Sequence, residues 1–208
     1  SLTAVFWGSS VGLAITPLLL LAVALAMVAE HLIVAPVRTT PSGLVWSIVG
    51  GTWIGVGLGS LLEIARYRRD DTGFDLGLIA VIVGAVIACD TVAYFAGFVL
   101  GRHRFFPSIS PSKTVEGALG GLVGAVLVAV VAGRPVIGLG ALAAVALGVL
   151  VAVAAQGGDL LESALKRRAG VKDSSTLIPG HGGLLDRLDS LLLVGPSVYL
   201  FLRACAVA

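Results

Sequence analysis

Long apolar runs separated by short polar stretches set the pattern of this chain. The runs are built from Ala, Val, Leu, Ile and Gly. They are about as long as the roughly 20 residues an α-helix needs to cross a bilayer, and they lack the strict alternation of a barrel strand. A backbone in lipid must satisfy its own hydrogen bonds, so helices follow. The pattern predicts six spans, at about 11–34, 43–65, 76–100, 115–132, 135–155 and 188–207. All 208 residues then form one transmembrane catalytic domain. The expected fold class is all-α, a polytopic integral membrane protein with a polar funnel facing the cytoplasm.

Composition agrees with the pattern. Hydrophobic residues make up 57% of the chain and charged residues 12%, whereas about 25% are charged in soluble domains; mean hydropathy is +1.03. The stretch Ser1 to Thr16 is apolar but rich in Gly and Ser, as the tail of an earlier helix would be. Residue 1 is Ser and Met27 is the sole methionine, so a processed chain or a fragment lacking some N-terminal helices is expected. No basic segment precedes the first apolar run, which argues against a signal peptide. Cys89 and Cys205 fall in different apolar spans, which predicts reduced, packing cysteines and no disulfide.

Basic residues orient the spans. If the loops after spans 1, 3 and 5 share a side, that side holds nine: Arg38, Arg102, Arg104, Lys113, Lys166, Arg167, Arg168, Lys172 and Arg187. The other side holds five: Arg66, Arg68, Arg69, Arg134 and Arg203. The excess marks the first side as cytoplasmic, in a cell membrane crossed several times.

That side also carries the candidate chemistry. In "AQGGDLLESALKRR", Gln156, Asp159, Ser163 and Arg167 recur at helical steps and share one face. In "IPGHGG", Pro179 and three glycines make a tight turn whose amides can approach an anion. A helix is expected just after it, with Asp186 and Asp189 side by side. Asp159, Asp186 and Asp189, set among Lys166, Arg167, Lys172 and Arg187, suit a hard divalent cation with phosphate ligands. That combination describes phosphoryl or nucleotidyl transfer. The competing reading is a solvated loop whose charges only signal topology, and an Asp pair at the mouth of a span counts against it.

Two further stretches point the same way. Asp90, in "CDTVAYFAGFVLGRH", lies ten residues before Leu100, or about 15 Å into the apolar layer. An ionisable group so deep faces a cavity or a partner helix; Asp159 and Asp186 are expected to share its cavity, with Tyr94 one turn along. In "SPSKTVEGALGG", Ser110, Ser112, Lys113 and Thr114 precede Glu116 as a helix-start signal. Glycines 117, 120, 121 and 124 then allow close helix packing or ligand approach.

The segment "SALKRRAGVKDSSTLIPGHGGLLDRLD", Ser163 to Asp189, resembles the signature of the phosphatidate cytidylyltransferase (CDP-diacylglycerol synthase) family. The likeness is carried by Ser163, Lys166, Arg167, Lys172, Asp173, Ser175, Pro179, His181, Gly182, Gly183, Asp186, Arg187 and Asp189. "GDLLES", "DTVAYFAG", "GRH" and "SPSKTVEG" extend it back to Asp90, with Ser112 standing where many members have a second lysine. The resemblance implies condensation of CTP with phosphatidate to CDP-diacylglycerol and pyrophosphate, with Mg²⁺ held by Asp159, Asp186 and Asp189, K⁺ as a candidate second cation, and a homodimer in the bilayer. It implies catalytic roles for those three carboxylates, Lys166, Arg167, Lys172 and His181. Contacts to substrate would come from Lys113, Ser110, Arg187, Gly182, Gly183, Ser163 and Asp90. His181 would steady the leaving pyrophosphate or lock its loop. Nucleic acid is not an expected partner. A CDP-archaeol synthase, a polyprenol kinase and, from another class, a transporter using Asp90 as a proton relay stay open as alternatives.

Overall fold

The computed structural model describes residues 41–66, 75–168, 170 and 185–206, with the side chains of 41–48, Leu185 and Arg187 outside that description. The chain divides into two compact units, Ser1–Val56 and Gly57–Ala208. The elements in order are α1 (Pro41–Arg66), α2 (Leu76–Leu100), strands β1 (Arg104–Phe106) and β2 (Ser110–Thr114), α3 (Val115–Ile137), α4 (Ala141–Arg168) and α5 (Leu185–Ala206). Among the described residues four helices are long and apolar enough to cross a membrane: α2, α3, α4 and the Leu188–Cys205 part of α5. The first predicted span, 11–34, lies outside the described residues.

Local chemistry sets the helix ends. Asp75 caps α2, its Oδ1 accepting from the Leu78 amide at 2.9 Å, and Thr114 caps α3, its Oγ1 accepting from Gly117 at 3.1 Å. Two predicted boundaries are corrected. The break expected before Pro135 does not occur: α3 continues to Ile137 with Pro135 inside it and stops where Gly138 takes φ +78°, its amide donating to Arg134 O. A left-handed glycine ends a helix decisively, whereas a proline this close to the end leaves little helix to disturb. At its start, α4 begins at Ala141 and not at 135; it runs on to Arg168, so the helical face expected from Gln156 to Arg167 belongs to one continuous helix. The all-α expectation also misses an antiparallel hairpin, in which Arg104 pairs with Thr114 and Phe106 with Ser110.

Helix packing within Gly57–Ala208 rests on small residues. Lipid tails are as apolar as leucine, so helices associate through close packing and not through burial from water. Along α3, Gly117, Gly121, Gly124, Ala125, Ala129 and Gly133 are buried. The opposite face presents Leu119, Val123, Leu127 and Val131 outward at four-residue steps. A Cβ on Gly121 would stand 2.9 Å from Cys89 O and one on Gly124 2.8 Å from Ala88 O, so α2 and α3 touch backbone to backbone. Gly148 meets Val126 in the α3–α4 contact, and Gly195 meets Gly57 O where α5 crosses α1. Cys89 is buried as expected, whereas Cys205 is exposed; neither forms a disulfide.

The crossing that positions the polar end is Gly158 of α4 against α5, where a Cβ would lie 2.6 Å from Asp189 O and 3.1 Å from Ser190 Cα. Backbone cannot retreat as a flexible side chain can. Gly158→Ala is therefore expected to destabilise the protein by about 1–3 kcal/mol, measured as a lowered thermal midpoint in detergent. Gly140→Ala, where no atom lies within 4 Å of the added Cβ, should leave the midpoint unchanged.

Candidate functional site

The site begins where the hairpin connects α2 to α3, whose backbones meet at Gly97 and Gly117. The α3 glutamate Glu116 fastens this connection: its Oε2 accepts from the amides of Arg102 and His103 at 3.1 and 3.2 Å. Its Oε1 lies 2.6 Å from His103 Nδ1. The Val115 amide donates back to His103 O at 2.9 Å. These bonds fix the strand that delivers Lys113. Its ammonium forms an ion pair with the carboxylate of Asp159 on α4, so the hairpin and the polar end of α4 lie at the same end of the molecule.

Between them is a cavity of about 590 Å³, whose walls include Asp90, Tyr94, Phe105, Lys113, Gln156 and Asp159. Asp90 and Tyr94 thus face the same cavity as Asp159; Asp186 does not line it. Gly97 and Gly117 line it too, and a Cβ at Gly117 would stand 2.8 Å from Ala93 O. Gln156 is pinned from behind, its Nε2 donating to Ala118 O at 3.1 Å and lying 3.6 Å from Cys89 Sγ. Ser163 stands one turn beyond Asp159, its hydroxyl 3.4 Å from Asp159 Oδ1.

A second charged group adjoins the first where α4 meets α5. Lys166 Nζ lies 2.8 Å from Glu162 Oε2 and 2.7 Å from Asp186 Oδ1, tying the last turns of α4 to the first turn of α5. Glu162 is 2% exposed, and its Oε1 has no hydrogen-bond partner. A buried carboxylate so placed depends on its cation. Asp189 Oδ1 accepts from the Ser190 amide at 2.6 Å. Asp159 acts electrostatically on both Asp189 and Asp90, so the carboxylates form one repelling set tempered by Lys113 and Lys166. Such a set suits a ligand that brings its own cation together with anionic groups for the lysines.

Of the residues singled out in the sequence, the structure brings Asp90, Lys113 and Asp159 to one cavity, with Ser163 bonded to Asp159. Lys166, Asp186 and Asp189 gather at the α4–α5 contact. Arg167 is exposed in the last turn of α4. Ser110 pairs with Phe106 at the far end of the hairpin, while Ser112 lines the cavity. Lys172, Asp173, Ser175, Pro179, His181, Gly182 and Gly183, and the Arg187 side chain, lie outside the described residues. Among the described residues no three His, Cys, Asp or Glu side chains stand close enough to hold a metal ion by themselves. Sequence reasoning overlooked Glu162, whose available signal was its spacing: three residues after Asp159 and four before Lys166.

A sequence profile of the cytidylyltransferase family matches residues 2–205. Curated relatives include the phosphatidate cytidylyltransferase of Brucella abortus biovar 1 (strain 9-941), 38% identical over 160 residues, or 77% of this chain and 58% of the relative. The protein of the same name from Helicobacter pylori (strain J99) is 45% identical over 130 residues, 62% of this chain and 48% of the relative. That from Bacillus subtilis (strain 168) is 44% identical over 132 residues, 61% and 48% respectively. The chain spans about half the length of these relatives.

The Lys166 junction makes a stability prediction. Lys166→Met strands Glu162 beside Asp186 in a buried position and should cost about 3–5 kcal/mol. Adding Glu162→Gln to that variant removes one stranded charge and should restore part of the loss. Unfolding of the two single variants and the double variant in detergent, treated as a double-mutant cycle, measures the coupling.

Proposed function

We propose, because this chain belongs to the cytidylyltransferase family, that it is a membrane nucleotidyltransferase condensing CTP with phosphatidate to give CDP-diacylglycerol and pyrophosphate. The observation that carries this reading is the set of carboxylates around the cavity and the α4–α5 contact, with Lys113 held on Asp159 and Lys166 held on Glu162 and Asp186. The names of the relatives, phosphatidate cytidylyltransferases, support the choice of nucleotide and lipid.

In the proposed reaction an oxygen of the phosphatidate monoester attacks the α-phosphorus of CTP. The new P–O bond forms as the bond from the α-phosphorus to the α–β bridging oxygen breaks, and pyrophosphate leaves with that electron pair. The attacking monoester is already anionic at neutral pH, so no strong general base is required. Lys113 and Lys166 neutralise phosphate oxygens, and the Asp159 and Asp186 carboxylates they release are then free to hold a cation. Arg167, Lys172 and Arg187 are assigned the remaining phosphate contacts. His181 steadies the leaving group or locks its loop, and Gly182 and Gly183 lend backbone amides.

Mg²⁺ fits the donor set, because it takes hard oxygen ligands and needs only one or two carboxylates when substrate phosphates complete its shell. Asp159, Asp186 and Asp189 would hold it, and bound there it neutralises charge on the reacting phosphates. K⁺ is assigned as a second cation. The wider arrangement goes with this reading: six spans, a homodimer, and a polar funnel opening to the cytoplasm, the side favoured by nine basic residues against five.

The test is conversion of labelled CTP into a lipid-soluble product by the purified chain with phosphatidate and Mg²⁺. Asp159→Asn, Asp186→Asn and Asp189→Asn should each lower turnover by at least about 100-fold while keeping the size-exclusion profile of the parent. Parental activity in any two of them would overturn the metal assignment.

A further inference from the structure

The cavity carries charge of both signs. Lys113 presents an ammonium paired with Asp159. Asp90 lines the wall too and makes no ion pair with any described residue. Gln156 lines the same cavity, and its orientation is forced by its surroundings. Ala118 O can only accept a hydrogen bond, so the amide nitrogen must face it at 3.1 Å, and the same nitrogen is 3.6 Å from the Sγ of Cys89, the residue before Asp90. With its nitrogen engaged, Gln156 has only the carbonyl Oε1 left to offer the cavity. Asp90 and Gln156 therefore offer the cavity two acceptors, a carboxylate and an amide oxygen, which suit a group with two N–H donors.

Aromatic rings line the same cavity. Tyr94 follows Asp90 by one helical turn and lines the cavity, and its ring stacks on Phe98 with centroids 6.4 Å apart and planes 12° apart. Phe105 from the hairpin closes another side. A flat heterocycle bearing an exocyclic amine matches this combination of ring faces and paired acceptors.

We propose that the cavity contains a base-reading subsite, in which Asp90 and Gln156 Oε1 accept from the 4-amino group of cytosine while Tyr94 and Phe105 flank the ring. The inference rests on the proposed use of CTP. It makes Asp90 and Gln156 the residues that separate CTP from UTP. Uracil carries a carbonyl oxygen where cytosine carries the amine, so UTP would set an acceptor against two acceptors. A site whose acceptors are matched to a substrate's N–H donors rejects an analogue that lacks those donors. Ring stacking serves either pyrimidine equally, so the ratio of affinities isolates the hydrogen bonds.

The experiment measures equilibrium binding of CTP and UTP to the purified full chain in detergent, alongside CDP-lipid formation. The parent protein should bind CTP at least about 100-fold more tightly than UTP. Asp90→Asn exchanges an obligate acceptor for an amide able to donate to the uracil oxygen. It should shrink that ratio at least about tenfold, mainly by weakening CTP. Gln156→Met, similar in shape but without the carbonyl, should shrink it in the same direction and stands in should Asp90→Asn fail to fold. Affinities for the two nucleotides within about threefold in the parent, or an equal loss for both in the variants, would overturn the subsite. Discrimination without any CDP-lipid would overturn the proposed reaction and leave the subsite standing; turnover without discrimination would do the reverse.

Discussion

Charge beside lipid has to be compensated by charge, and in this protein Lys166 does so for two carboxylates together. Its ammonium reaches both Glu162, which is almost fully buried, and Asp186. Removing it would leave a carboxylate without its cation in a position from which water is excluded. Much of the described polar end follows from that need. The α4 helix must continue past the apolar layer to carry Asp159, Glu162 and Lys166 on successive turns. The α5 helix must come close enough for Asp186 to share the lysine, which Gly158 permits by letting the two backbones touch near Asp189.

Buried ion pairs are poor devices for stability, since well-packed apolar residues often do as well or better. Two lysines and a set of carboxylates kept at a membrane edge are therefore better explained by what they handle than by what they hold together. Lysine neutralises phosphate as a mobile point charge. A carboxylate that releases a lysine to substrate becomes free to take a cation. The same groups can thus pair with one another before substrate arrives and bind substrate and metal afterwards, which is the electrostatic core of the proposed reaction.

Much of this was legible from the residues. The apolar runs announced α2 to α5, the position of Asp90 ten residues before Leu100 inside an apolar run marked it as a cavity residue, and Thr114 was readable as a helix start. What escaped had physical reasons. The spans 115–132 and 135–155 placed a boundary at Pro135, but the cost of that proline falls where few helical bonds remain, and Gly138 with its positive φ is the actual stop. The hairpin is short and exposed, and its pairing depends on Glu116 gathering the Arg102 and His103 amides, a contact over a dozen residues that no local pattern announces. Glu162 stands in a stretch of α4 already crowded with polar residues, and its importance comes from burial and from sharing Lys166 with Asp186 of α5. Gln156 was on the expected polar face, but its partners Cys89 on α2 and Ala118 on α3 are revealed only by tertiary packing.

The central claim is that this constellation transfers a nucleotidyl group to a lipid phosphate, and the fate of individual phosphorus atoms tests it most directly. The purified chain is given phosphatidate, Mg²⁺ and CTP labelled at either the α- or the γ-phosphorus. The account predicts that α-label enters the lipid phase as CDP-diacylglycerol and that γ-label leaves entirely in pyrophosphate. Transfer of γ-label to lipid, or no label in lipid from either position, would contradict it.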